Sequence, residues 1–155
     1  MSRLVESLKI EHGIPANVAY HNVRINRTRR ALFGSVYDID IPELLRGCAL
    51  PHAPVCKCRV LYRESVEEVD IRPYTRRLVA SLKLVECDDI DYTFKYEDKS
   101  AFDALLARKG NCDDILVVKQ GLITDTSFSN IALFDGFRWY TPARPLLRGT
   151  KREML

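Results

Sequence analysis

Lys95 lies between two aromatic residues, Phe94 and Tyr96. Its primary amine is the side-chain group that condenses with a carbonyl to a Schiff base, and it can also carry a proton as a general base. Asp125 follows Thr124 and precedes Thr126 in the stretch Gly121-Leu122-Ile123-Thr124-Asp125-Thr126-Ser127-Phe128-Ser129-Asn130-Ile131. Arg24 closes the stretch His21-Asn22-Val23-Arg24, and its guanidinium is a planar fork suited to phosphate oxygens. Gly149, Thr150 and Lys151 open a helix-like segment within Pro145-Leu146-Leu147-Arg148-Gly149-Thr150-Lys151-Arg152. Backbone N–H groups at such an opening attract anions, and glycine lets the backbone approach closely. Each residue has an ordinary alternative. A lone lysine is usually a solvated charge, an aspartate between threonines often serves a turn, and Arg24 has Arg27, Arg29 and Arg30 for company.

Taken in order, the segments His21–Arg24, Phe94–Tyr96, Gly121–Ile131, Trp139-Tyr140-Thr141-Pro142 and Pro145–Arg152 resemble the class IV aminotransferases, the fold-type IV enzymes of pyridoxal 5′-phosphate (PLP). That family includes branched-chain aminotransferases, D-amino acid aminotransferases and aminodeoxychorismate lyases. The resemblance covers most of the chain, and Gly121 to Arg152 is its most specific part.

The resemblance implies roles. Lys95 falls where the family keeps the lysine that forms a Schiff base with PLP. Asp125 falls where the family usually has glutamate, in a Thr-Glu-x-x-x-x-Asn pattern, to pair with the protonated pyridine nitrogen and keep the ring an electron sink. Aspartate is one methylene shorter, so the ring must sit nearer or a water must intervene. Arg24 matches the arginine that grips the PLP phosphate, and Gly149, Thr150 and Lys151 match the turn that opens a helix over it. Arg59 lies near where some relatives hold a substrate carboxylate. Tyr96 and Tyr62 are candidate pocket walls. Ser127 and Asn130 are expected to shape the Asp125 turn. Ser100 stands at about the place of a family tyrosine that contacts the ring hydroxyl.

The elements that must position these residues follow from periodicity. Leu4 to Ile10 alternates as a strand, His12 to Pro15 is a turn, and Asn17 to Tyr20 could return as a second strand. His21 to Phe33 is helical, with Val23, Ala31 and Leu32 as an inner stripe, Arg27, Arg29 and Arg30 outside, and Gly34 as its stop. Ile41 to Gly47 is a short helix with proline in its first turn. Cys58–Tyr62 and Val66–Ile71 suit a hairpin. Leu78–Leu84, Asp114–Val118 and Asn130–Phe134 read as strands, and Ser100–Lys109 as a helix stopped by Gly110. The segment from Gly149 reads as a helix that ends early, consistent with truncation at the C-terminus or a disordered tail.

Composition is that of a soluble globular protein, 46% hydrophobic and 29% charged, with a net charge of +3. No run is long enough to cross a membrane, and the start lacks a signal-peptide core. The expected location is cytoplasmic. Five scattered cysteines suit free thiols in a reducing compartment. Cys56-Lys57-Cys58 lacks a second pair, and His12, His21 and His52 do not cluster, so no metal is expected. One basic helix without interleaved aromatic platforms is weak support for nucleic-acid binding.

The resemblance implies an α/β (α+β) fold, a two-lobed D-amino acid aminotransferase-like PLP fold with its large lobe shortened. A small lobe over 1–72 and a PLP-binding lobe over 75–155 would hold the cofactor in a cleft between them. The resemblance implies a homodimer and a small-molecule substrate, an amino acid or an aminated chorismate. An aminotransferase is the first reading, an aminodeoxychorismate lyase the second, and a catalytically silent PLP-binding relative the third.

Overall fold

The computed structural model describes residues 2–155. It is a mixed α and β structure that divides into two compact units. The first holds the residues up to Arg76 with Phe94–Glu97 and Glu153–Leu155; the second holds Arg77–Thr93 and Asp98–Arg152.

In the first unit, β1 (Leu4–Glu11), β2 (Ile14–Pro15), β3 (Val55–Tyr62) and β4 (Val66–Pro73) form an antiparallel sheet in the order β2-β1-β3-β4. The expected hairpin forms as β3–β4, with Val60 opposite Val69. Strand side chains alternate between faces. On β1 the face of Leu4, Leu8 and Ile10 is buried, and it meets Cys56, Cys58, Val60 and Tyr62 of β3 and Ile25 of α1 (Val18–Phe33) in one core. Ile41, which opens α2 (Ile41–Leu45), completes it.

Two sequence expectations fail in this unit. Asn17–Tyr20 is not a strand. Asn17 takes a left-handed conformation (φ 57°), and the helix begins at Val18. The inner stripe of α1 is also different: Val23 is 66% exposed, whereas His21, Arg24, Ile25, Asn26, Thr28 and Arg29 are buried. Arg29 goes inward because it has partners there, the carbonyls of Glu64 and Tyr37 at 2.8 and 2.7 Å and Asn26 Oδ1 at 3.1 Å. A buried charge is tolerated when it is paired and hydrogen-bonded, and none of those partners can be read from helical periodicity. Gly34 ends α1 as expected, at φ 66°, with its N–H donating to the Arg30 carbonyl.

In the second unit, β5 (Leu82–Glu86) runs parallel to β6 (Asp114–Lys119), with α3 (Ser100–Leu106) between them in the chain. The strand expected over Leu78–Leu84 begins only at Leu82. The Asp113 carboxylate accepts hydrogen bonds from the N–H groups of Ala80 and Ser81 and from the Ser81 hydroxyl, which holds that stretch as a loop. β7 (Leu122–Thr126) returns antiparallel to β6 through Gln120 and Gly121. Both have positive φ (51° and 73°), the geometry of a two-residue hairpin turn that matches strand twist. β8 (Leu133–Phe134) and β9 (Trp139–Tyr140) make a separate hairpin, shorter than the expected Asn130–Phe134 strand. α4 (Thr150–Met154) is the last element. No helix among the described residues is long and apolar enough to cross a membrane.

Candidate active site

Lys95 belongs to the first unit, on the edge of β1. The Val5 N–H donates to the Lys95 carbonyl at 2.9 Å, and the Glu97 N–H donates to the Arg3 carbonyl at 2.9 Å. Leu4 and Tyr96 form an antiparallel bridge between them. The segment 94–97 is thus a short extra strand partner, added where β2 does not reach. Arg3 fastens it from the side: its Nε and Nη2 meet the two Glu97 carboxylate oxygens at 2.6 and 2.9 Å, the bidentate fork that suits a carboxylate. Lys95 is itself half-buried.

Arg24 sits on the inner face of α1, 6% exposed. Its Nε and Nη2 donate to the Glu6 carboxylate at 2.8 and 2.6 Å, and His21 Nδ1 lies 2.6 Å from Glu6 Oε2. Glu6 is fully buried. Burial pushes its carboxyl up, but the Arg24 charge and the hydrogen bonds of Arg24 and His21 outweigh that and leave it below the ordinary carboxylate value. Glu6 is the residue that sequence reasoning missed. Its signal was parity: it shares the β1 face of Leu4, Leu8 and Ile10, where a lone acid implies a buried partner. The helix supplies that partner, since positions 21 and 24 face one way at a spacing of three.

Arg59 is 40% exposed at its side chain and 3.9 Å from Glu97 Oε1, so the carboxylate beside the Lys95 segment already engages it. Tyr96 is half-buried against the core, edge-to-face with Phe94 at 6.2 Å. Tyr62 is no pocket wall: it is fully buried in the core, and burial raises its phenol above the ordinary value.

Asp125 belongs to the second unit, on β7, and is 4% exposed. Its Oδ1 accepts from Asn130 Nδ2 at 2.7 Å and its Oδ2 from the Leu147 N–H at 2.9 Å. Burial raises its pKa above the ordinary aspartate value, and the hydrogen bonds from Asn130 and the backbone at Leu147 and Leu146 oppose the rise. The chain reverses after Asp125 because Thr126 Oγ1 accepts from the Ser129 N–H at 3.1 Å, while the Thr126 N–H donates to the Ser129 carbonyl at 2.9 Å. That turn returns Asn130 to Asp125. Asn130 thus shapes the turn as expected, with Thr126 and Ser129 rather than Ser127 closing it.

Gly149 is half-buried beside Asn130, Thr150 is buried at the first turn of α4, and Lys151 is exposed. α4 is five residues long. Ser100 opens α3, where its N–H donates to Asp98 Oδ1 at 2.8 Å. Among the described residues, no group of three or more His, Cys, Asp or Glu is placed to hold a metal ion.

The donor set suits PLP. Lys95 supplies a primary amine. Asp125 supplies a buried carboxyl that accepts hydrogen bonds from Asn130 and from the backbone at Leu146 and Leu147. Arg24 supplies a buried guanidinium held by the Glu6 carboxylate.

No family model matches the chain. An uncharacterized protein of Haemophilus influenzae strain Rd is 37% identical over 158 residues, spanning 100% of this chain and 84% of the relative. A crystal structure from Haemophilus somnus 129PT, of a protein named as a candidate 4-amino-4-deoxychorismate lyase, superposes with a TM-score of 0.89 at 28% identity. That match covers 99% of this chain and 82% of the other. A Mycobacterium tuberculosis protein named as a hypothetical aminotransferase, in its PLP-bound form, matches at 17% identity and a TM-score of 0.69, over 98% of this chain and 65% of that one. The last likeness is one of fold alone. The chain belongs to one family with the Haemophilus influenzae protein, and its fold is that of the fold-type IV enzymes.

Proposed function

We propose that this protein is a PLP-dependent enzyme acting on an amino acid or an amino-substituted acid, with Lys95 as the amine that links to the cofactor. The observation that carries the reading is the match of nearly the whole chain to the Haemophilus somnus structure, together with the presence of an amine, a buried acid and a buried guanidinium at positions 95, 125 and 24. When bound, PLP supplies an electron sink that stabilises a carbanion at the substrate carbon bearing the amine. The protein's own residues do the rest. Lys95 would take and return the proton at that carbon. Asp125 would pair with the pyridinium nitrogen, and Arg24 would hold phosphate oxygens, with its guanidinium fixed by Glu6. Thr150 and the backbone at Gly149 and Lys151 belong to the same phosphate-holding set, and Arg59 and Tyr96 to the substrate side.

Two reactions share this machinery. The candidate lyase name of the structure at 28% identity favours elimination, which would yield 4-aminobenzoate and pyruvate from aminodeoxychorismate. Transamination is the second reading, since the same residues would serve it. The test is a visible spectrum of purified protein with PLP, borohydride reduction and mapping of the labelled peptide. Wild type should carry the reduced cofactor on Lys95, and Lys95→Ala should carry none. Product analysis then separates pyruvate plus 4-aminobenzoate from oxo-acid exchange with glutamate. Labelling at another lysine, or none at all, overturns the proposal. Labelling of Lys95 without either product leaves a silent PLP-binding protein.

A further inference from the structure

Three contacts in the second unit tie Asp125, Asn130 and Leu147 together. Asn130 Nδ2 donates to Asp125 Oδ1 at 2.7 Å and to the Leu147 carbonyl at 2.8 Å, and the Leu147 N–H donates to Asp125 Oδ2 at 2.9 Å. Both carboxylate oxygens of Asp125 are held, and the group that holds one also holds the backbone that holds the other. The other end of the Asn130 carboxamide is equally constrained. A Cβ built on Gly149 would stand 1.9 Å from Asn130 Oδ1 and 3.1 Å from Asn130 Cγ. Gly149 is not among the glycines with positive φ, so its backbone conformation is open to any L residue. Space, not backbone strain, demands glycine at this position.

We propose that Asn130 is the positioning residue for the Asp125 carboxyl, and that position 149 must be glycine because the Asn130 carboxamide fills the place of its side chain. This rests on the reading of Asp125 as the acid that serves the cofactor, and it goes beyond that reading by giving Gly149 a reason that needs no anion. Asn130 suits the task because an amide has two donors and an acceptor on one rigid plane. Its N–H groups reach Asp125 and Leu147 while its oxygen lies over Gly149. Truncation at 130 would remove one donor from a buried carboxylate and release the Leu147 strap together. A methyl at 149 would turn the carboxamide away and do the same from the other side.

The two halves of the proposal are tested by one cycle on protein free of cofactor: wild type, Asn130→Ala, Gly149→Ala and the double variant. The first readout is the titration of Asp125 followed by carbon-13 NMR of labelled aspartate carboxyls, with the signal assigned by its loss in Asp125→Asn. The second is the dissociation constant for PLP. Asn130→Ala should move the Asp125 midpoint upward by about one pH unit, the loss of one hydrogen bond to a charged group. Gly149→Ala should move it in the same direction. The double variant should match Asn130→Ala alone, because without the carboxamide the new methyl has room. PLP affinity should fall about tenfold in each single variant and no further in the double. If Asn130→Ala does not fold, Asn130→Leu, near in shape, uncharged and without the donor, must still raise the midpoint. The proposal is overturned if the Asp125 midpoint stays at its wild-type position in the Asn130 variants. It is also overturned if Gly149→Ala keeps its full effect in the Asn130→Ala background, since glycine would then serve the close approach of an anion. Wild-type protein that takes up no PLP would refute the proposed function, while the cofactor-free titrations would still decide the role of Asn130.

Discussion

Glu6 and Arg24 lie 18 positions apart and meet inside the first unit, with Nε–Oε1 at 2.8 Å and Nη2–Oε2 at 2.6 Å. Neither is more than 6% exposed. The strand alternation that buries Leu4 and Leu8 also buries the acid between them, and α1 delivers a guanidinium to meet it. Removing one partner of such a pair leaves a buried charge without compensation. Glu6→Gln should therefore destabilise the fold by about 3 kcal/mol, measured by urea denaturation at pH 7.

The same pair gives a dependence on pH. Glu6 has a folded pKa below its unfolded value of 4.5, so the unfolded state binds the proton more readily. Its contribution is fully present above about pH 4.5 and is lost as pH falls through the depressed folded value. Wild type should lose stability across that window and converge on Glu6→Gln. Parallel stability profiles for the two proteins would show that Glu6 is not held as described.

Asp125 behaves in the opposite sense. Burial raises its folded pKa above 3.8, so the folded state binds the proton more readily than the unfolded one. Stability should decline as pH rises from about 3.8 through the raised value and be level in this respect above it. Asp125→Asn lacks that step, so its stability relative to wild type should improve over the window, as read from thermal melts at closely spaced pH. With PLP bound, the same variant should turn over about 10- to 100-fold more slowly, the scale of a lost charge-assisted hydrogen bond.

The Lys95 segment is held to β1 by two backbone hydrogen bonds and by the Arg3–Glu97 fork. Glu97→Gln should loosen it locally. Amide hydrogen exchange should quicken at Val5 and Glu97 by at most about fivefold, with the β1–β3 ladder unchanged. A uniform increase over the whole sheet would mean that the clamp serves the fold at large.

Gly34 caps α1 at φ 66°, with nothing within 4 Å of where a Cβ would stand. Gly34→Ala should thus cost only the left-handed conformation, about 1 kcal/mol in urea denaturation. A much larger loss would point to contacts that the structure does not show.

Much of the fold was legible because local chemistry settles it. The alternation of β1, the stop at Gly34, the proline at the start of α2 and the β3–β4 hairpin each rest on neighbours a few residues apart. The ordered motifs at positions 24, 95, 125 and 149–151 marked the candidate site for the same reason. Their types and spacing are a one-dimensional record. What the sequence could not show was pairing over distance. Arg29 looked like a surface arginine until the Glu64 and Tyr37 carbonyls were placed beside it, and nothing showed that Glu6 would hold Arg24. Asn130 was expected to shape the Asp125 turn, but not to reach the Leu147 carbonyl 17 positions on.

By itself, then, the sequence determined most element types, several turn positions and a set of candidate side chains, because each depends on local backbone preference and side-chain chemistry. Only the tertiary structure decided which charges are buried, which carboxylate orients which arginine, and why position 149 has no room for a side chain. Those outcomes turn on desolvation and contact between residues 18 to 35 positions apart, and on one carboxamide lying where a Cβ would have to go.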